Sequence, residues 1–179
     1  MKICIYGASS DSINRIYLEA GEWLGREMAL RGHEMVFGGG ASGLMGAAAR
    51  GITAQGGRCT GVAPHFFNVD GILFEGCAEL ILTDTMRERK HIMEERSDAY
   101  VMTPGGTGTF EEFFEVLTLR QLGKLQKPIA IYNTAGYFDE LLAMLHAADQ
   151  KGFLRAGTLD LFGVYDDPVE LLEYLEKNK

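Results

Sequence analysis

The chain alternates between two hydrophobic periods. Short runs that are apolar at nearly every position are KICIYG (2–7), EMVFG (34–38), RCTGVA (58–63), ELILT (79–83), AYVMT (99–103), PIAIYN (128–133) and LFGVY (161–165). Longer stretches between them repeat their apolar residues every three or four positions. Strands inside a parallel sheet are covered by helices on both faces, so they need runs of the first kind. Residues 12–31 place Ile13, Ile16, Tyr17, Ala20, Trp23 and Leu24 on one helical stripe, and residues 137–151 do the same with Phe138, Leu141, Leu142 and Leu145. Both stripes are expected to face the core. The stretch DDPVELLEYLEK predicts a last helix, with Asp167 capping its free N–H groups and Pro168 at the first helical position. Strands alternating with helices through short connections define an α/β fold, a parallel sheet of about seven strands flanked by helices. With no linker, repeat or low-complexity segment, residues 1–179 read as a single domain.

Composition acts on this picture by exclusion. An apolar fraction of 46% over 179 residues is enough for a full core. No run reaches the roughly 18 apolar residues of a membrane span, and MKICIYGASSD arrives at Gly and Ser too early for a signal peptide. The expectation is a cytoplasmic protein with no membrane partner. A net charge of −8 argues against nucleic acid as a partner, because non-specific binding needs basic surface to displace counterions. Cys4, Cys59 and Cys77 form no CxxC, and His33, His65, His91 and His146 have no ligand spacing, so neither disulfides nor a metal are expected.

Ligands of parallel α/β sheets collect at the carboxyl ends of the strands. Three loops there are built of small residues: GASSDS (7–12), GGGASGLMG (38–46) and PGGTGT (104–109). Glycines can serve only to turn the chain. Each of these loops, however, leads into a helix, whose first N–H groups and positive dipole end suit a phosphate. Ser9, Gly39, Gly40, Gly105, Gly106, Thr107, Gly108 and Thr109 are therefore candidate contacts. The dinucleotide fingerprint GxGxxG is missing after the first strand, and no glycine of these loops is followed by the lysine of a P-loop. A mononucleotide or sugar phosphate remains.

Carboxylates stand directly beside this anion-friendly turn. Thr109 and Glu112 have the spacing of a capping box, which leaves Glu112 open to either a capping or a chemical role. Glu111 faces another side, and Glu111 and Glu115 fit a solvated or capping face. Upstream, TMRERKHIMEERSD interleaves Arg87, Arg89, Lys90 and Arg96 with Glu88, Glu94 and Glu95, the composition of a solvated helix laced with ion pairs. Its place before AYVMT could set Arg89 or Lys90 near the third loop, as fixed positive charge for a phosphate or ribose. His91 reads as a surface residue.

PGGTGTFEE matches the pattern PGGxGTxxE, GGGASGLMG matches GGGxxGLMG, and MRERK places Arg89 23 residues before Glu112. In these motifs, and in their order over roughly residues 2–150, the chain resembles the Lonely Guy family of cytokinin riboside 5'-monophosphate phosphoribohydrolases, once labelled lysine decarboxylases. The resemblance implies a Rossmann-like, doubly wound homodimer that cleaves the N-glycosidic bond of a purine nucleoside 5'-monophosphate, with no cofactor. It implies catalytic positions for Arg89 and Glu112. Substrate-binding positions fall to Lys90, Gly105, Gly106, Thr107, Gly108, Thr109 and Glu111, and Thr118 joins them. The chain departs from the plant pattern at Arg87, at Thr107 and in APHFFNVDG, which leaves the base specificity open. Molybdenum-cofactor carriers share this kind of fold and glycine loops, so a carrier is the alternative, with a nucleotide sensor as a third reading. A carrier has no use for the glycosidic carboxylate. Pyridoxal chemistry would need a Schiff-base lysine, and only Lys90 lies near.

Overall fold

The computed structural model describes residues 1–179. Its strands are β1 (Lys2–Tyr6), β2 (Glu34–Phe37), β3 (Cys59–Pro64), β4 (Glu79–Thr83), β5 (Ala99–Met102), β6 (Ile129–Tyr132) and β7 (Phe162–Tyr165). They form one sheet in the order β4-β3-β2-β1-β5-β6-β7, parallel throughout. Each strand expected from the apolar runs is present, with its ends within a residue of those expected. The helices are α1 (Arg15–Leu30), α2 (Gly43–Ala54), α3 (Met86–Arg96), α4 (Thr107–Gln121), α5 (Asp139–Gln150) and α6 (Pro168–Lys177).

Two-sided burial explains the continuous apolar runs. Ile3 and Ile5 of β1 point into a core layer shared with Leu24, Ala48 and Leu171 of α1, α2 and α6. Cys4 and Tyr6, the alternate residues, point into a second layer with Met93, Phe113 and Leu145 of α3, α4 and α5. The result is a three-layer sandwich, helices on both faces of the sheet.

One expectation fails on α1. Ile16 and Trp23 lie at the surface, 46% and 43% exposed, while the helix buries Ala20, Gly21, Leu24, Gly25 and Met28. A Cβ on Gly25 would stand 2.1 Å from the carbonyl oxygen of Ala48, so the two helix backbones touch. The buried stripe is set by small residues, and larger apolar ones are displaced to its flank. On the other predicted helix, Phe138 and Leu145 are buried and Leu141 and Leu142 half-buried. Asp167 caps α6 as expected, accepting from the N–H groups of Val169 at 2.7 Å and Glu170 at 3.3 Å. The three thiols are free; Cys4 and Cys59 are buried and Cys77 partly so.

From β1 the chain builds outward to β4 and then crosses back to lay β5 on the other side of β1. At such a reversal the loops leaving neighbouring strands diverge and open a crevice at their carboxyl ends.

Candidate active site

The loops after β1, β2 and β5 meet over that crevice and are tied to one another. The N–H of Ala8 donates to Pro104 O at 2.9 Å, and Met45 N–H donates to Ala8 O at 3.3 Å. Asp11 in the first loop accepts from Gly43 N–H in the second at 2.7 Å. Gly43 adopts φ +68, and a Cβ there would press within 2.3 Å of Ala8 O, so this junction admits no side chain.

Between them lies a cavity of about 580 Å³, within the usual range for a small-molecule site. One wall is the start of α4. Gly106 is its N-cap and offers no side chain, so the first-turn amides of Thr107, Gly108 and Thr109 have no capping partner. Ser9 and Gly40 complete this polar wall, and Phe67, Ile72, Leu73, Met86 and Met45 form an apolar one.

Arg89 and Glu112 lie in the cavity's lining and are almost wholly buried, 6% and 9% exposed. Arg89 Nη1 donates to Glu112 Oε1 at 2.6 Å and its Nε to Val62 O at 3.1 Å. A Cβ on Gly38 would lie 2.1 Å from Arg89 Nη2, so the bare backbone at the end of β2 makes room for the guanidinium. Burial pushes the Glu112 carboxyl above its ordinary pKa, and Arg89 holds it back. Only Oε1 of Glu112 is hydrogen-bonded to the protein.

Glu112 does not cap its helix. Because α4 begins at Thr107, Thr109 sits inside the first turn rather than at the cap, and the glutamate reaches across to α3 instead. Capping of the expected kind occurs on α3, where Thr85 accepts from Glu88 N–H at 3.1 Å and Glu88 accepts from Asp84 N–H at 3.0 Å.

The candidate residues divide into three groups. Ser9, Gly40, Arg89, Gly106, Thr107, Gly108, Thr109 and Glu112 surround the cavity. Gly39 and Gly105 lie in the same loops just behind its wall. Lys90, Glu111 and Thr118 are outside the lining. Lys90 is clamped between Glu111 and Glu115, 2.6 Å from the latter, and these carboxylates raise its pKa although burial works the other way. Thr118 is exposed further along α4, and His91 is exposed beside Glu95. The apolar wall was not anticipated. Its signal was present in HFFNVDGIL, where large apolar residues stand in a segment with no helical or strand period.

Comparison with known proteins places this geometry in context. A family model described as "Possible lysine decarboxylase" matches residues 45–175. A probable cytokinin riboside 5'-monophosphate phosphoribohydrolase of Oryza sativa subsp. japonica is 38% identical over 176 residues, 98% of this chain and 78% of the relative. A cytokinin riboside 5'-monophosphate phosphoribohydrolase of Arabidopsis thaliana is 33% identical over 98% of this chain and 83% of its own length. Among solved structures, the molybdenum cofactor binding protein of Rippkaea orientalis superposes with a TM-score of 0.76 at 20% identity, covering 98% of this chain and 95% of that one. The Moco carrier protein of Chlamydomonas reinhardtii gives 0.73 at 22% identity, over the same shares. At such identities the structural likeness speaks for the Rossmann-like fold alone. The relatives and the matching family model go further: the chain belongs to the Lonely Guy family, the phosphoribohydrolase family still described as possible lysine decarboxylases.

Proposed function

We propose that the protein hydrolyses the N-glycosidic bond of a purine nucleoside 5'-monophosphate, releasing the free base and ribose 5-phosphate. The observation that carries this reading is the buried carboxylate of Glu112, fixed by Arg89 in a cavity that also presents the open N-terminus of α4. Phosphate and anomeric carbon lie only a few bonds apart in such a substrate, so one helix can serve both. The amides of Gly106 to Thr109 hold the phosphate. Cleavage builds positive, oxocarbenium-like charge on the ribose, and Oε2 of Glu112 stabilises it or orients the attacking water. Arg89 keeps the carboxylate in place and ionised. The base stacks on the apolar wall of Phe67, Ile72, Leu73 and Met86.

Decarboxylation through pyridoxal phosphate does not fit. No lysine lines the cavity, and Lys90, the nearest in sequence to the pair, is bound by two carboxylates. The same proposal includes a cytoplasmic homodimer. Its support is the family resemblance, together with exposed apolar side chains such as Leu122 and Phe153; no helix is long and apolar enough to cross a membrane.

The test is chromatographic detection of base and ribose 5-phosphate after incubating wild type and Glu112→Gln with AMP and with isopentenyladenosine monophosphate. Release by wild type alone is expected, and the two rates rank the substrates. Tight retention of unhydrolysed nucleotide by wild type would favour a carrier or sensor.

A further inference from the structure

The loop Gly105–Gly106 carries no side chain; a Cβ on Gly106 would meet nothing within 4 Å, whereas one on Gly105 would stand 2.1 Å from Thr109 Oγ1 and 2.9 Å from Ala8 N, so the peptide between them is closely bounded on the Gly105 side and open on the Gly106 side. Contacts from elsewhere hold it. On one side Ala8 N–H grips Pro104 O at 2.9 Å. On the other, the Tyr137 hydroxyl donates to Gly105 O at 2.7 Å.

The peptide between Gly105 and Gly106 is planar and trans, so its C=O and N–H point in opposite directions. Fixing the carbonyl toward Tyr137 therefore turns the Gly106 N–H away from Tyr137, to the side where Gly106 borders the cavity. Tyr137 itself does not line the cavity.

The turn that presents Tyr137 is built at some cost. Ala135 is the only non-glycine residue with positive φ, at 54°, and Gly136 follows it at 69°. A left-handed alanine is disfavoured and persists only where its surroundings impose it. Here Asn133 closes the turn, accepting from Phe138 N–H at 2.7 Å and donating to Asp139 at 2.8 Å. The Tyr137 ring then packs edge-on against Tyr17 at 5.6 Å and Phe138 at 4.9 Å. Its position is set by packing, independently of the hydroxyl.

We infer that Tyr137 is a positioning residue of the active site: its hydroxyl orients the Gly105–Gly106 peptide so that the Gly106 N–H is aimed at the phosphate of the substrate. This rests on the reading of the α4 N-terminus as the phosphate site. It assigns to the segment after β6 a part in substrate binding that the loops after β1, β2 and β5 do not perform.

Tyr137→Phe removes the hydroxyl and keeps the ring. The expected result is a KM for the nucleoside monophosphate raised roughly 3- to 10-fold, the worth of about one net hydrogen bond, with kcat moving less than KM. The dissociation constant of ribose 5-phosphate, measured by calorimetry, rises by a similar factor. Inhibition by the phosphate-free nucleoside stays put, and the melting temperature falls only by the few degrees that one lost hydrogen bond costs, whereas a purely structural role would weaken phosphate-bearing and phosphate-free ligands alike. Unchanged KM and ribose 5-phosphate affinity in Tyr137→Phe would overturn the inference, as would an equal loss for phosphate-free ligands. If wild type releases no base, the hydrolase reading falls by itself; ribose 5-phosphate binding then decides the role of Tyr137, and absence of binding overturns it too.

Discussion

In the proposed reaction Glu112 carries two demands that conflict: burial against the ribose and an ionised carboxylate to stabilise positive charge. Arg89 reconciles them at 2.6 Å. Glu112→Gln keeps the shape and removes the charge, and turnover should fall by roughly 10²-fold or more while nucleotide still binds. Burial lifts the Glu112 pKa above 4.5 and Arg89 lowers it. The acid limb of kcat/KM should therefore lie above the usual glutamate range, with rate lost as pH falls through it. In Arg89→Gln the lowering influence is gone, so the limb moves to higher pH; the phosphate's own titration is common to both proteins and cancels in the comparison. Gly38→Ala tests the same pair from outside. Its Cβ would stand 2.1 Å from a guanidinium that is buried and hydrogen-bonded to Val62 O and Glu112, so displacing that cation should cost activity and, in urea unfolding, roughly 1–3 kcal/mol or more of stability. At this scale the sequence was informative about identity and weak about partners. Arg89 and Glu112 are legible in their motifs, but the capping-box spacing of Thr109 and Glu112 is equally good grammar, and only the start of α4 at Thr107 decides between them. Tyr137 gave no signal, because what matters is a hydroxyl meeting a backbone carbonyl 32 residues away.

The strands were readable because burial on both faces writes itself directly into composition. Helix faces were harder. On α1 the apolar period points toward Ile16 and Trp23, yet contact with α2 is made through Gly21 and Gly25, which carry no hydrophobic signal. Close backbone approach selects for small size, a property that a hydrophobic pattern does not record. Gly25→Ala would drive a methyl against the Ala48 carbonyl and the Ile52 amide, backbone atoms that cannot swing aside. Urea unfolding should show a loss of about 1–3 kcal/mol or more, far beyond what Gly→Ala in a free helix would do and opposite in sign. A stabilised variant would mean that these helices are less tightly engaged than described. Because α2 begins at the second glycine loop, loosening the pair should also raise KM.

Across the whole molecule, His33 links the first and last parts of the chain. Its Nδ1 lies 3.3 Å from the Met1 amino group and its Nε2 2.8 Å from Glu176 of α6. Burial lowers the His33 pKa, against the pull of Glu176. The unfolded chain thus takes up the proton first as pH falls, so the stability His33 contributes is complete above its ordinary 6.5 and lost as pH drops through the lowered value. Between about pH 7.5 and about pH 5, wild type should lose more melting temperature than His33→Asn. A matching drop in both would assign the effect to other groups.

The strand order has a consequence for how the protein is made. β1 sits at the centre of the sheet, but its second neighbour is β5, whose first residue is Ala99. Until the ribosome has delivered that segment, the nascent β4-β3-β2-β1 half exposes KICIY as a bare edge, apolar on both faces. Such an edge is a template for pairing with another chain. The N-terminal 98 residues expressed alone should therefore aggregate, and growth temperature and chaperone supply should govern the yield of full-length protein more than its final stability does.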